Sequence, residues 1–166
     1  IRKGKKNILL LTTQDYISVG NLRTQGYIEA LKKHQIIPDN RLIIKSIDEA
    51  SSEKEMSYLE KQINNLLNQK VAIDGIFAVN EIYAASALKV LRKRNINVPE
   101  EVAIICFTDG VISRYSSPSL TTVSQHAEEI GEVSAKLLID KLTEASPLEE
   151  HITKVINCSI VERESS

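Results

Sequence analysis

The chain has 166 residues, 42% of them hydrophobic and 26% charged, with 21 basic and 22 acidic side chains. This length predicts one domain with its own hydrophobic core, and the near-zero net charge argues against a surface that binds a polyanion. No run of about 18 apolar residues is present that could span a membrane. The sequence starts at Ile1 rather than at Met and shows no signal-peptide pattern, and we therefore expect a processed or excised piece of a longer protein.

Short apolar runs alternate with segments of helical periodicity over the first two thirds of the chain. Residues 7–13 (NILLLTT) predict a strand buried on both faces, and residues 21–34 predict a helix that Pro38 prevents from continuing. The alternation continues with strands at 41–47, 74–79 and 102–107. One further helix begins at residue 51, and another spans 81–94. Strands that alternate with helices of this length indicate βαβ units. The predicted fold class is therefore α/β, a three-layer sandwich with a mostly parallel sheet.

The last third of the sequence departs from this alternation. Residues 108–119 contain a glycine, a proline and four serines and predict a loop rather than a helix. A short strand at 120–124, a helix at 125–142 and an alternating edge strand at 152–161 follow. Two cysteines, Cys106 and Cys158, lie in apolar runs and predict buried, reduced thiols.

Motifs for nucleotide binding and for common catalysis are absent from the sequence. The six glycines do not form a phosphate-binding motif, and no nucleophile elbow is present. The three histidines are far apart and lack cysteine or carboxylate partners at metal-ligand spacing, and His126 is interpreted as a capping or surface residue. We therefore expect no metal, no cofactor and no enzymatic activity.

Four polar residues lie where the predicted sheet would bind a ligand, beyond the carboxyl ends of its strands. Arg23 is near the start of the first helix, Asn80 directly follows the third strand, and Thr108 and Asp109 directly follow the fourth. Such donors and acceptors suit a polyhydroxylated or anionic small molecule. Each also has a structural alternative: a surface ion pair for Arg23, a helix N-cap for Asn80, and a turn residue for Asp109.

Several stretches keep a characteristic order and spacing along nearly the whole chain. They are RTQGY at 23–27, NEIYAASAL at 80–88, VPEEVAII at 98–105, and RYSSPSLTTVSQ at 114–125 followed by IG at 130–131. Together they resemble the effector-binding domain of the LacI/GalR family of bacterial transcription regulators. The resemblance implies a periplasmic-binding-protein-like fold with two lobes and a site for a small, sugar-like effector in the cleft between them.

The resemblance also implies how the chain is divided between the two lobes. Residues 7–107 and 152–162 would form a complete second lobe, and the segment 120–143 would belong to a first lobe that is mostly missing. The DNA-binding helix-turn-helix would lie upstream of this chain. Arg23 and Asn80 match the family's effector contacts. Thr108 stands where the family has an aspartate, which puts the family's usual pair of acceptors in doubt. Whether Asp109 takes the role of that aspartate is left open.

For function, the resemblance implies a cytoplasmic, homodimeric regulator in which an effector between the lobes alters DNA binding. Its dimer contacts would include Ala84, Ala85, Leu88 and Tyr115, for which core packing is the alternative. A periplasmic sugar-binding protein of a transport system shares the fold and is the second hypothesis. An α/β enzyme is the third.

Overall fold

A six-stranded sheet forms the centre of the computed structural model, which describes residues 1–47, 52–143 and 152–166. Its strands lie in the order β2-β1-β3-β4-β5-β6. They are β1 (Ile8–Thr12), β2 (Ile43–Lys45), β3 (Gly75–Ala78), β4 (Ala103–Phe107), β5 (Thr121–Ser124) and β6 (Ser159–Val161). All neighbouring pairs are parallel except β5 with β6, which is antiparallel. The predicted α/β class with a mostly parallel sheet is confirmed.

Helices cover the two faces of this sheet unequally. They are α1 (Ser18–Lys33), α2 (Ser52–Asn68), α3 (Glu81–Lys93), α4 (Val111–Tyr115) and α5 (Ala127–Thr143). Helix α1 packs on one face, where the Tyr27 hydroxyl donates to the carbonyl of Ile8 at 2.7 Å. Helices α2 and α3 pack against each other on the opposite face, as right-handed crossovers from this strand order require. These layers are the predicted three-layer sandwich.

The core is densest beneath α2 and α3. Because side chains alternate between the faces of a strand, Leu9 and Leu11 of β1 share a face with Ile104 and Cys106 of β4. All four side chains have no exposed surface. On the opposite face Phe77, Ile105 and Phe107 stay half-buried, because α1 packs mainly on β1. This thinly covered region adjoins the carboxyl edge of the sheet.

The predicted bounds of several elements differ from those observed. Strand β2 spans only Ile43–Lys45 of the predicted strand 41–47. Helix α1 begins at Ser18 rather than at 21, and β6 spans only Ser159–Val161 of the predicted strand 152–161. Residues 108–119 include the short helix α4, so the prediction of a loop without a helix was wrong there. Residue 51, the predicted start of the second helix, lies outside the described residues.

Strand β5 pairs in parallel with β4, and Cys106 lies opposite Thr122. The strand at the start of the segment 120–143 is therefore part of the same sheet as residues 7–107, which corrects its assignment to a first lobe. The assignment of the helix that follows stays a prediction. None of the residues of α5 is buried, and Leu138, Ile139 and Leu142 are among the most exposed large apolar side chains of the described residues.

The two thiols differ in environment. Cys106 is buried, and burial raises its pKa to about 11. Cys158 is exposed, so the prediction of a buried thiol was wrong for that residue. It precedes the last strand in a stretch, 152–158, whose described residues are almost all exposed. In the part of the chain that the structure describes, no helix has the length and apolarity needed to cross a bilayer.

Candidate functional site

Arg23 lies at the carboxyl edge of the sheet and links the ends of two neighbouring strands. Its Nη1 donates a hydrogen bond of 2.7 Å to the carbonyl of Val79, the residue that follows β3. Its guanidinium carbon lies 4.2 Å from the ring centroid of Phe107, the last residue of β4. A cation over an aromatic face is attracted by the ring quadrupole. These two contacts hold the guanidinium in one position before any ligand arrives.

The charge of Arg23 is partly desolvated. Burial lowers the pKa of its guanidinium, and the nearby Cys158 partly opposes that effect. An arginine nevertheless stays protonated at neutral pH. Among the described residues, one of its five N–H donors bonds to Val79, and the others remain for a ligand. The predicted alternative of a surface ion pair does not apply, because a neutral carbonyl and a ring hold this side chain.

Asn80 caps the helix that follows it. Its Oδ1 accepts a hydrogen bond of 2.8 Å from the backbone N–H of Tyr83, and its own backbone is extended, as at a helix N-cap. The structural alternative for this residue is therefore correct. Its acceptor oxygen is engaged, which leaves the side-chain amide as the group that could contact a ligand at this strand end.

Thr108 is exposed at the end of β4 and has a φ of +80°. This left-handed backbone conformation is unusual for a β-branched residue. The N–H of Thr108 donates to the carbonyl of Val123 at 3.2 Å, and its carbonyl accepts from the Ser113 hydroxyl at 3.2 Å. The hydroxyl-bearing side chain is left at the surface of the edge that carries Arg23.

Asp109 does not lie open at this edge as a free acceptor. One of its carboxylate oxygens, Oδ1, accepts from Arg163 and, at 3.1 Å, from the Thr122 hydroxyl; the other, Oδ2, accepts from Arg114 at 3.1 Å. Burial would raise the pKa of Asp109, but hydrogen bonds from Arg163 and Thr122 and the two arginine charges outweigh burial and lower it. The predicted effector contact through Asp109 is not supported by this geometry, and neither is a simple turn residue.

Sequence reasoning missed the residues that hold this loop. Arg163 lies in a short polar stretch at the end of the sequence, where a single arginine gives no periodic signal. Ser165, two residues later, is fully buried: its hydroxyl donates to the carbonyl of Ile104 at 2.7 Å and accepts from the N–H of Thr121 at 2.8 Å. Ser165 therefore links the amino ends of β4 and β5.

Glu81 supports the same loop from the other side. Its Oε2 accepts from both the N–H and the hydroxyl of Ser113, at 3.1 and 2.9 Å. A Cβ at Gly110 would lie 2.3 Å from Oε1 of this carboxylate, so a larger residue there would displace the Glu81 side chain from its position at Ser113. Glu81 thereby joins the start of α3 to α4.

The four predicted dimer contacts occupy different environments. Ala84 has no exposed surface and Leu88 is 6% exposed, because both pack in the core. These two residues cannot line an interface between copies in this structure, and the core alternative is correct for them. Ala85 is partly exposed and Tyr115 is exposed. For them the dimer contact stays a prediction.

Comparisons with known proteins agree on one family. A family model described as a periplasmic binding protein-like domain matches residues 1–166. The transcriptional regulator CelR of Thermobifida fusca is 28% identical over 99% of the chain, and GalR of Escherichia coli strain K12 is 32% identical over 99%. A solved structure of a CelR–cellobiose complex superposes with a TM-score of 0.82 at 25% identity over 99% of the chain and 48% of that structure.

The chain spans about half the length of the curated relatives that it matches, 46% of both CelR and GalR. The relatives named here are described as transcriptional regulators of the helix-turn-helix type, and not as enzymes or transport proteins. The matches cover 99% of the chain, a stretch that includes the sheet and the candidate site.

Proposed function

Since the chain belongs to the family of periplasmic binding protein-like domains, we propose that it is the effector-sensing part of a LacI-type transcription regulator. In this proposal a sugar or a related metabolite binds at the carboxyl edge of the sheet and alters DNA binding by a helix-turn-helix outside this chain. The second hypothesis, a transport binding protein, is not favoured because the relatives are regulators. A third, an enzyme, has no support in those relatives either.

The observation that carries the proposal is the position of Arg23. Its guanidinium is fixed by Val79 and Phe107 beside the strand ends that carry Asn80 and Thr108. A fixed guanidinium with unused donors can bind the hydroxyls of a sugar or an anionic group without losing further conformational entropy. Ligands of open parallel sheets bind at this edge. The solved CelR structure, whose bound compound is cellobiose, supports a sugar as the class to test first.

The regulatory mechanism follows from a site shared by two lobes. A ligand that contacts both lobes favours the closed arrangement only to the extent that it binds that arrangement more tightly. Closure would change the distance between two DNA-binding heads in a homodimer. The near-neutral charge of this chain suits a sensing part, with DNA contact made elsewhere. In this proposal the regulator works in the cytoplasm and binds its effector without a metal or cofactor.

The experiment is a calorimetric titration of the protein that contains this chain with cellobiose, a disaccharide, and D-galactose, a monosaccharide. We expect one of these probes to bind and Arg23→Gln to weaken that binding about 10- to 100-fold, since hydrogen bonds to charged groups contribute about 1.5–3 kcal/mol. Arg41→Gln is the matched control, because Arg41 pairs with Asp39 just before β2, at the amino end of that strand and away from the carboxyl edge of the sheet. No binding of any probe, or an equal loss in both variants, would overturn the proposal.

A further inference from the structure

The backbone at Thr108 needs external support to keep its observed conformation. A β-branched residue at a φ of +80° is disfavoured, and such residues persist only where the surroundings fix them. The next residue, Asp109, carries three side-chain partners, which come from three different segments of the chain. Besides the backbone bonds of Thr108 to Val123 and Ser113, its conformation is therefore supported through the carboxylate beside it.

Arg163 is the best anchored of these partners. Besides Asp109, it donates through Nη1 to the carbonyl of Leu120 at 2.7 Å and to the Thr122 hydroxyl at 3.2 Å. Its backbone N–H donates to the Thr121 hydroxyl at 2.8 Å. Its side chain is 17% exposed, whereas that of Arg114, the other cation on the same carboxylate, is 58% exposed. A surface pair contributes little, whereas a buried and multiply bonded one fixes geometry.

The place of Arg163 in the chain gives this contact a further consequence. It follows β6 by two residues, and β6 is the antiparallel edge strand reached from residues 152–158. The ion pair therefore ties the loop at the end of β4 to the segment that enters the sheet last. Thr122, on β5, accepts from Arg163 and donates to Asp109, and so it closes the network between them.

We propose that Arg163 is a positioning residue for the effector site. It acts through Asp109, holds Thr108 in the left-handed conformation, and couples the loop at the end of β4 to the segment around β6. Asp109 in this proposal is an anchor rather than a ligand contact. The proposal rests on the proposed function for its consequence in binding, whereas its structural part stands on the loop alone.

The experiment measures the loop and the binding separately. Amide hydrogen exchange of the full chain is followed at Thr108, whose N–H bonds to Val123, and at Leu10 in the core sheet. In Arg163→Met we expect exchange at Thr108 to accelerate about 10-fold relative to Leu10. Arg114→Met is the matched control, because it removes a cation from the same carboxylate, and we expect less than about a twofold change there.

A conservative variant separates positioning from general stability. Arg163→Lys keeps the charge but loses the fork that reaches Asp109 and Leu120 together, and we expect it to restore part of the protection at Thr108. If Arg163 acts through Asp109, Arg163→Met adds little in an Asp109→Asn background, so that the effects on Thr108 are not additive. The affinity for whichever of cellobiose and D-galactose binds the wild type should fall in parallel with this protection.

The outcomes distinguish this proposal from the proposed function. If exchange accelerates equally at Thr108 and Leu10, Arg163 only stabilises the fold and the positioning proposal is overturned. Additive effects of the Asp109 and Arg163 variants overturn it as well. If no probe binds the wild type, the proposed function fails, while the exchange at Thr108 still decides the role of Arg163. If the loop loosens and probe affinity is unchanged, the coupling to the effector site is wrong.

Discussion

Asp109 is subject to two opposing influences, and their balance makes the stability of the fold depend on pH. Burial favours the neutral acid, whereas Arg163, Thr122 and Arg114 favour the carboxylate, and the pKa of Asp109 is lowered in the folded chain. A group with a lowered folded pKa contributes stability above its unfolded pKa, about 4, and loses it as the pH falls through the folded value. We therefore expect Asp109→Asn to cost about 2 kcal/mol of unfolding free energy at neutral pH. This cost should shrink below about pH 4.

Urea unfolding of the wild type and of Asp109→Asn across a pH series measures this difference. Asp39→Asn is the control: hydrogen bonds from Arg41 lower the pKa of this carboxyl too, but the pair is at the surface, where solvent screens it. We expect a much smaller effect there. A cost of Asp109→Asn that stays constant, or grows, toward acid pH would contradict the assigned ion pair.

At the level of single residues, the sequence predicted positions better than roles. Arg23, Asn80 and Thr108 do lie at one sheet edge, because strand ends can be located from apolar runs and the edge is shared in a parallel sheet. The role of Asp109 could not be predicted, because its partner Arg163 is 54 residues away. Contacts between distant polar residues leave no periodic pattern in a single sequence.

Gly20 shows how a single position sets the docking of α1 on the sheet. A Cβ at this residue would lie 1.8 Å from Oγ1 and 3.2 Å from Cβ of Thr13, just beyond β1. Thr13 Oγ1 is already buried without a hydrogen-bond partner in the described residues. We expect Gly20→Ala to lower the unfolding free energy by about 1–2 kcal/mol, because α1 must move away from the strand end. Chemical denaturation measures the change.

Gly26, on the same helix, provides the matched control. A Cβ there would meet nothing within 4 Å, and alanine is favoured over glycine inside a helix. Gly26→Ala should therefore raise the unfolding free energy by about 0.5–1 kcal/mol. If both variants shifted stability in the same direction, the close approach at Gly20 would not be what limits the position of α1.

Among the elements, apolar runs located the strands, but the edge strands were predicted too long: β2 and β6 have three residues each, against seven and ten predicted. β4 differs from its prediction by one residue, because its apolar run is bounded on both sides by polar residues. α1 begins before its apolar stripe does: Ser18 and Val19 precede Leu22, and no side chain caps the helix. α4 was missed because its five residues span little more than one turn, which is too short for a helical period to show.

For the whole molecule, the distribution of apolar surface is uneven. The face of the sheet beneath α2 and α3 is completely covered, while the apolar side of α5 faces solvent. Leu138, Ile139 and Leu142 are each more than half exposed. Clustered exposed apolar residues on one helix indicate a surface that another part of a protein covers. We interpret α5 as the helix that would pack against the first lobe in a longer protein, as in the proposed regulator.

This interpretation predicts that a polar substitution at Leu142 destabilises a longer protein that includes the first lobe more than it destabilises the chain alone. In the chain alone, Leu142→Gln should change the unfolding free energy by less than about 0.5 kcal/mol, because Leu142 is 76% exposed. Leu59→Ala, at a fully buried position of α2, should cost about 2–5 kcal/mol and shows that the assay detects lost packing. With the first lobe present, Leu142→Gln should cost more than about 1 kcal/mol. Equal small effects of Leu142→Gln in both proteins would mean that α5 packs against no other lobe.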